Sequence, residues 1–356
     1  MRDVLIFFAH RRAPAFAYYE DWFDALRTHP GWKVHVVDTS TRASLVRGLL
    51  RARRRAWDLV LYPYSFFYAN TDHWRRAILT VGGAKLRGTK VFFLENEYRM
   101  LRDKLACAVA VGADYVTTQL PKDVADRVYG GFFEPARIIP LPHGLARVDE
   151  AVPAADDPRR DIDLAFRGAS FPYYVGHRDR ELMLEFFTEH AGRLDLRVDL
   201  EVERYLAPAE WRRFLHRTKG VLGHESGSGF LEVNDATRRR VLEYEANPGV
   251  TFDEIFRLFF KDYPDPVSGR VVSSRHFEAI GANCAQVLFP GRYNDILRAG
   301  EHYLPLARDF SNVDDVLRRF RDVALRRRMV EDTAAYVRDA HTLRHRIAGL
   351  ARWVAL

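Results

Sequence analysis

The chain has 356 residues, 47% hydrophobic and 13% aromatic, enough apolar side chain for two ordinary domains and too much for a disordered polymer. Its net charge is +7, from 55 lysines and arginines against 48 acids, which suits phosphorylated substrates, an anionic surface or a plainly solvated exterior. Basic and aromatic residues are not interleaved as in RNA-binding strands, which argues against nucleic acid as a partner.

Short apolar runs alternate with helical patterns from the start. Strands are expected at Val4–Ala9, Val34–Val37, Leu59–Tyr62, Val91–Leu94, Tyr115–Thr118 and Ile138–Leu141. Between them the spacing predicts helices at Tyr18–Arg27, Ser44–Arg55, His73–Val81, Lys104–Val111 and Lys122–Tyr129. Strands separated by helices point to right-handed βαβ units and a parallel sheet, and these strands fit one Rossmann-like half. Arg147–Arg160 is rich in Ala, Pro and Asp, lacks periodicity and reads as a linker.

The rhythm then restarts. Strands are expected at Ile162–Phe166, Leu196–Leu200 and Gly220–Gly223, with helices at Glu181–His190, Pro208–Arg217 and Phe252–Phe260. A buried strand, Ala285–Phe289, is followed by a Pro-Gly turn and a polar helix. Ser311 with Asp314 three residues on is a capping-box-like helix start, and Val313, Val316, Leu317 and Phe320 share the face behind it. The tail Val330–Val354 is a long amphipathic pattern. The expected fold is α/β, with two Rossmann-like doubly wound domains facing a cleft. These are residues 1–146, a linker at 147–160, residues 161–329, and helices over 330–356 that are free to return to the first domain.

Cys107 and Cys284 stand far apart in apolar surroundings and read as buried thiols of a reducing compartment. The first apolar run is too short for a signal-peptide core, and no run of about 18 apolar residues follows. The cytoplasm is the expected location. The basic run Arg47–Arg55 leaves room for peripheral contact with the inner membrane face, although a solvated helix face explains it as well.

The densest chemistry lies in residues 270–310, RVVSSRHFEAIGANCAQVLFPGRYNDILRAGEHYLPLARDF. Glu278 is a lone carboxylate at the start of a helix of small and apolar residues. An ionised carboxylate accepts from two vicinal hydroxyls at once; the plain alternative is an acid placed for the helix dipole. Ser273 and Ser274 suit the helix cap, with hydroxyls available to phosphate oxygens. Arg167-Gly168 closes a strand, where glycine admits a phosphate and Arg167 or Arg178 can clamp it, unless this is an ordinary strand-to-helix turn. In His224-Glu225-Ser226-Gly227-Ser228-Gly229, glycine and serine favour close ligand approach or simple flexibility, and HExxH spacing is absent. Glu95, Asn96 and Glu97 after one strand, and Asp72-His73 after another, are polar but not distinctive. Asp161-Ile162-Asp163 spells D-x-D, but it opens a strand instead of following one, and no essential metal is expected.

The 270–310 stretch resembles the nucleotide-sugar half of two-domain (GT-B) glycosyltransferases, nearest to the CgeB-like group with a "glycosyl transferases group 1" C-terminal domain. The resemblance spans roughly residues 162–322. It implies that Glu278 holds the ribose hydroxyls of a nucleotide-sugar, with Ser274, Arg275 and His276 at the diphosphate or base. It also implies that the Glu225-Ser226 turn lines the nucleotide cleft and that Tyr293-Asn294-Asp295 lie near the sugar or diphosphate. His143-Gly144 resembles the turn leading into the interdomain linker, with donor contact. Some inverting relatives use a histidine after the first strand as general base, and His10 stands there. Related retaining enzymes carry a second acid eight residues before the glutamate. Here that position is Arg270, and the CgeB-like group also lacks the acid.

The activity implied is transfer of a sugar from a nucleotide-sugar co-substrate to an acceptor hydroxyl. The acceptor would be a glycan, a lipid-linked molecule or a small molecule, and no cofactor takes part. A nucleotide-sugar epimerase and a non-catalytic nucleotide-sugar-binding protein are the alternatives.

Overall fold

A computed structural model describes residues 1–9, 17–67, 85–146, 152–203 and 206–354. The helix expected at His73–Val81 lies outside the described residues, as does His10. The chain forms two compact units, one of Met1–Pro142, Leu231–Ala236 and Leu343–Leu356, the other of His143–Phe230 and Thr237–Thr342.

The first unit is built on β1 (Arg2–Phe8), α1 (Ala17–Arg27), β2 (Trp32–Asp38), α2 (Arg42–Ala52), β3 (Ala56–Tyr62), β4 (Arg87–Phe93), α3 (Leu101–Ala110), β5 (Tyr115–Thr118), α4 (Lys122–Tyr129) and β6 (Ile138–Pro140). Its strands are parallel in the order β2-β1-β3-β4-β5-β6. Val4 to Phe8 are buried in succession, the continuous apolar run that a parallel strand covered on both faces requires. Thr41 starts α2 by accepting the Ser44 N–H. The last helix of the chain also belongs to this unit. It packs on α1, and its Trp353 indole donates to the Ala136 carbonyl at 3.0 Å.

The second unit contains β7 (Ile162–Gly168), α5 (Asp179–His190), β8 (Val198–Val202), α6 (Pro208–His216), β9 (Thr218–Gly223), α7 (Ala236–Tyr244), α8 (Phe252–Phe259), α9 (Ser274–Gly281), β10 (Ala285–Leu288), β11 (Leu304–Pro305), α10 (Val313–Arg321) and α11 (Val323–Ala340). Its strands are parallel in the order β11-β10-β9-β7-β8. Leu164, Phe166, Phe187, Val287, Leu317 and Phe320 are central to the main core.

Several local expectations change. The stretch 152–160 is not a loose connector: Ala155 and Arg160 are buried. The Arg160 guanidinium donates to the carbonyls of Pro153, Ala154, Leu215, Thr218 and Ala282, fastening the segment to the sheet. The polar helix expected after the Pro-Gly turn is a single 3-10 turn, Tyr293–Asp295. All three residues have positive φ, which no α-helix tolerates. α10 starts after Asn312, because the Ser311 hydroxyl is committed to Asp309. The tail is two helices, α11 and α12 (Leu343–Trp353), broken at His341, whose carbonyl accepts from Leu145 N–H. No helix among the described residues is long and apolar enough to cross a membrane.

Candidate functional site

In a doubly wound sheet, ligands bind beyond the carboxyl ends of the strands, where the strand order reverses. In the second unit the order reverses between β7 and β9, which end at Gly168 and Gly223. A recess opens there, walled by Phe166, Arg167, Trp211, His224, Arg275 and His276.

Glu278 lies beside this recess, but not at a helix start as expected. α9 begins at Ser274, so Glu278 is one turn in and draws little from the helix dipole. The Trp211 indole Nε1–H, which donates to its carboxylate at 2.8 Å, orients it instead. Burial raises the Glu278 pKa, and Trp211, Arg275 and Ser274 oppose that rise. Arg275 donates to the Arg167 carbonyl at 3.1 Å and stands 5.6 Å from the centre of the Phe166 ring. A Cβ on Gly168 would collide with the Arg275 guanidinium, so this glycine makes room for an arginine. Ser273 caps α9, its N–H donating to His276 Nδ1 at 3.0 Å. That bond leaves the imidazole proton on Nε2, and burial pushes the His276 pKa down to about 3, so the ring stays neutral.

Next to this group is a constellation that no local motif announces. Asp179 at the start of α5 accepts from Arg270 at 2.5 Å and from Arg308 at 3.1 Å. Burial alone would raise the Asp179 pKa, but Arg308 and Arg270 hold it well below the usual carboxylate value. Arg270 is therefore an ion-paired cation. The ligand atoms of His177, Asp179 and His224 lie within 4.8 Å of one another, a grouping that could hold a metal ion. Asp179 already serves two guanidinium groups, which a metal ion would have to displace, while burial together with neighbouring arginines keeps both histidines neutral, His177 at about 4. The D-x-D acids are equally committed, Asp161 to Arg217 and Asp163 to Lys219 and Arg197.

No family model matches this chain, and no curated protein does. Solved structures do. Anabaena HepE in complex with UDP aligns over 100% of both chains with a TM-score of 0.54 at 10% identity. HepE in complex with UDP-glucose gives 0.52 at 10%, again over 100% of both chains. An S. aureus TarM variant in complex with fondaparinux, alpha-GlcNAc-glycerol and UDP gives 0.51 at 9%, over 88% of this chain and 59% of its own. These neighbours are GT-B glycosyltransferases. The fold is GT-B.

The other expected residues take these places on the GT-B frame. Arg167 ties β7 to β8, pairing with Asp199 at 2.6 Å. Arg178 pairs with Glu185. Glu225 accepts the Tyr293 N–H at 2.7 Å, and a Cβ on Gly291 would strike its carboxylate; burial raises its pKa. Ser226 and Val271 exchange backbone hydrogen bonds, fixing the glycine-serine turn to the approach of α9. Tyr293 is fully buried with its hydroxyl on the Phe289 carbonyl, and the Asn294 side chain accepts the Val272 N–H. Asp295 is exposed and turned to Arg292. His143 is buried and close enough to His276 to lower its pKa.

The first GT-B unit carries a polar cluster that sequence reasoning passed over. Glu95 and Glu97 follow β4, and both are buried. Lys104 on α3 donates to the carbonyls of Glu95 and Asn96, while Glu97 accepts from Thr118 and from the Tyr129 hydroxyl at 2.8 Å. Burial pushes the Glu97 pKa up to about 7. In the sequence Lys104 is only the first residue of an expected helix, and the fold turns it inward.

Proposed function

We propose that this protein is a glycosyltransferase that moves a sugar from a nucleotide-sugar donor to an acceptor hydroxyl, with the donor held by the second unit. The observation that carries the reading is the oriented Glu278 carboxylate beside a cationic recess at the strand-order reversal. Glu278 would take the ribose hydroxyls. Arg275, Arg270 and Arg308 would face the diphosphate, supplying the positive charge that a divalent ion supplies elsewhere. His276, Ser274 and the Glu225-Ser226 turn would border the nucleotide, and the loop Tyr293-Asn294-Asp295 would lie toward the sugar. UDP and UDP-glucose in the HepE structures make uridine donors the first to try. The order Arg275-His276-Phe277-Glu278-Ala279 supports the CgeB-like group as the nearest relatives.

The test is calorimetric titration of the purified protein with UDP, GDP and dTDP and their glucose conjugates, with magnesium or with EDTA. Release of nucleoside diphosphate is then followed over acceptor extracts. The reading expects one nucleotide series to bind in EDTA and Glu278→Ala to abolish that binding. Undiminished binding by Glu278→Ala would overturn the assignment. Binding without turnover on any acceptor would leave a nucleotide-sugar-binding protein.

A further inference from the structure

Gln286 is the second residue of β10, between Ala285 and Val287, and is 2% exposed. Neither its amide oxygen nor its amide nitrogen has a hydrogen-bond partner. Leaving a buried polar group unpaired costs about 1–3 kcal/mol, and methionine would fill the same volume without that penalty. The amide is not sealed in the core. It lines the same recess as Trp211, Arg275 and His276. That recess has about 470 Å³ of open space including its mouth.

Two groups facing this space are donors. Arg167 Nε is buried and unpaired, and His276 carries its proton on Nε2, on the side of Gly223. Phe166, Trp211 and Phe214 supply aromatic walls. Trp211 also joins the recess to Glu278 through its indole bond. A ribose held on Glu278 has its glycosidic nitrogen only a few bonds from the bound hydroxyls, so its base starts at the mouth of this recess.

We propose that Gln286 is the residue that selects the nucleobase, and that the base is a uracil type. Its amide nitrogen donates to one ring carbonyl and its amide oxygen accepts the ring N–H. The donors at Arg167 and His276 favour the second carbonyl. With the amide on O2 and N3–H of the ring, the second carbonyl, O4, meets Arg167 and His276; cytosine in that register sets its unprotonated N3 against the amide oxygen and its amine against those two donors. This inference rests on the reading of the second unit as a nucleotide-sugar site.

The experiment measures dissociation constants of UDP, CDP and GDP for the wild type, Gln286→Met and Gln286→Asn, together with the melting temperature of each protein without ligand. The wild type should prefer UDP over CDP by about ten-fold or more, the worth of one well-placed hydrogen bond to a buried group. Gln286→Met should narrow the gap between the two nucleotides while melting no lower than the wild type, because it removes an unpaired amide. Gln286→Asn, which keeps the amide but withdraws it, should also narrow the gap, and it reports even if the methionine variant fails to fold. An unchanged UDP-to-CDP ratio in either variant overturns the inference while leaving the proposed function standing. A wild type that binds no nucleoside diphosphate overturns both.

Discussion

The indole of Trp211 on α6 and the carboxylate of Glu278 on α9 are joined by a 2.8 Å hydrogen bond between residues 67 positions apart in the chain. A carboxylate that must stay ionised to accept two hydroxyl protons is thus held by a neutral donor in a site whose burial favours the protonated form. Removing the donor should shift that balance. In Trp211→Phe, which keeps the aromatic packing, the Glu278 pKa rises further. Nucleotide affinity should fall about ten-fold near neutral pH and recover as pH is raised. Calorimetry across a pH series, with wild type and variant side by side, measures the displacement; superimposable profiles would detach the indole from ligand binding.

Asp179 should matter for stability before it matters for ligand. It is 5% exposed and is the shared partner of Arg270 and Arg308. Asp179→Asn leaves two guanidinium groups without a counter-charge and should destabilise the protein by about 3 kcal/mol or more. Because its pKa is depressed in the folded state, the stabilisation is complete above the ordinary aspartate value and is lost as pH falls through the depressed one. Denaturant titration between neutral and strongly acid pH should show the variant and wild type converging at the acid end.

The cluster after β4 should act in the opposite sense. Glu97 is raised in the folded state from an ordinary 4.5 to about 7, so the native protein holds a proton that the unfolded chain has released. Stability should therefore decline as pH rises from about 4.5 to 7, by about 3 kcal/mol for the whole shift. Glu97→Gln, which mimics the protonated acid, should flatten that decline and be the more stable protein at pH 8. Thermal melts of both proteins from pH 5 to pH 8 decide it.

Gly168 offers a steric test of the arginine beside it. Alanine there meets the Arg275 guanidinium, and a flexible side chain can move away at small cost to the fold. Gly168→Ala should melt within a few degrees of the wild type yet bind nucleoside diphosphate several-fold more weakly. Its affinity for the uncharged nucleoside should change little. Equal losses for nucleoside and diphosphate would separate Arg275 from the phosphates.

The strands were readable because both sheets are parallel and buried, so runs such as Val4 to Phe8 are apolar without interruption. The glutamate was readable as an anomaly, one acid among small residues. Its surroundings were not. Trp211 is only one residue of the helix expected at Pro208–Arg217, and Asp179 meets Arg270 and Arg308 across 91 and 129 residues, beyond any local spacing. α7 was missed because it buries little, chiefly Thr237 and Val241. The supposed polar helix failed for a tertiary reason: Glu225 and Val272 hold Tyr293 and Asn294 in left-handed backbone that composition does not reveal. Arg160 was hidden by its neighbours, since an Ala-Pro-Asp stretch gives no sign that one arginine inside it collects five carbonyls.

The membership of α12 in the first unit also sets a schedule. The helix that packs on α1 is made about 200 residues after that unit's first segment ends at Pro142. At ribosomal rates of roughly 5–20 residues per second, the surface later covered by Leu343, Ile347 and Leu350 stays bare for about ten to forty seconds in each round of synthesis. During that interval the nascent chain presents an unfinished apolar face, and the second unit must be threaded through the tunnel before the first can close.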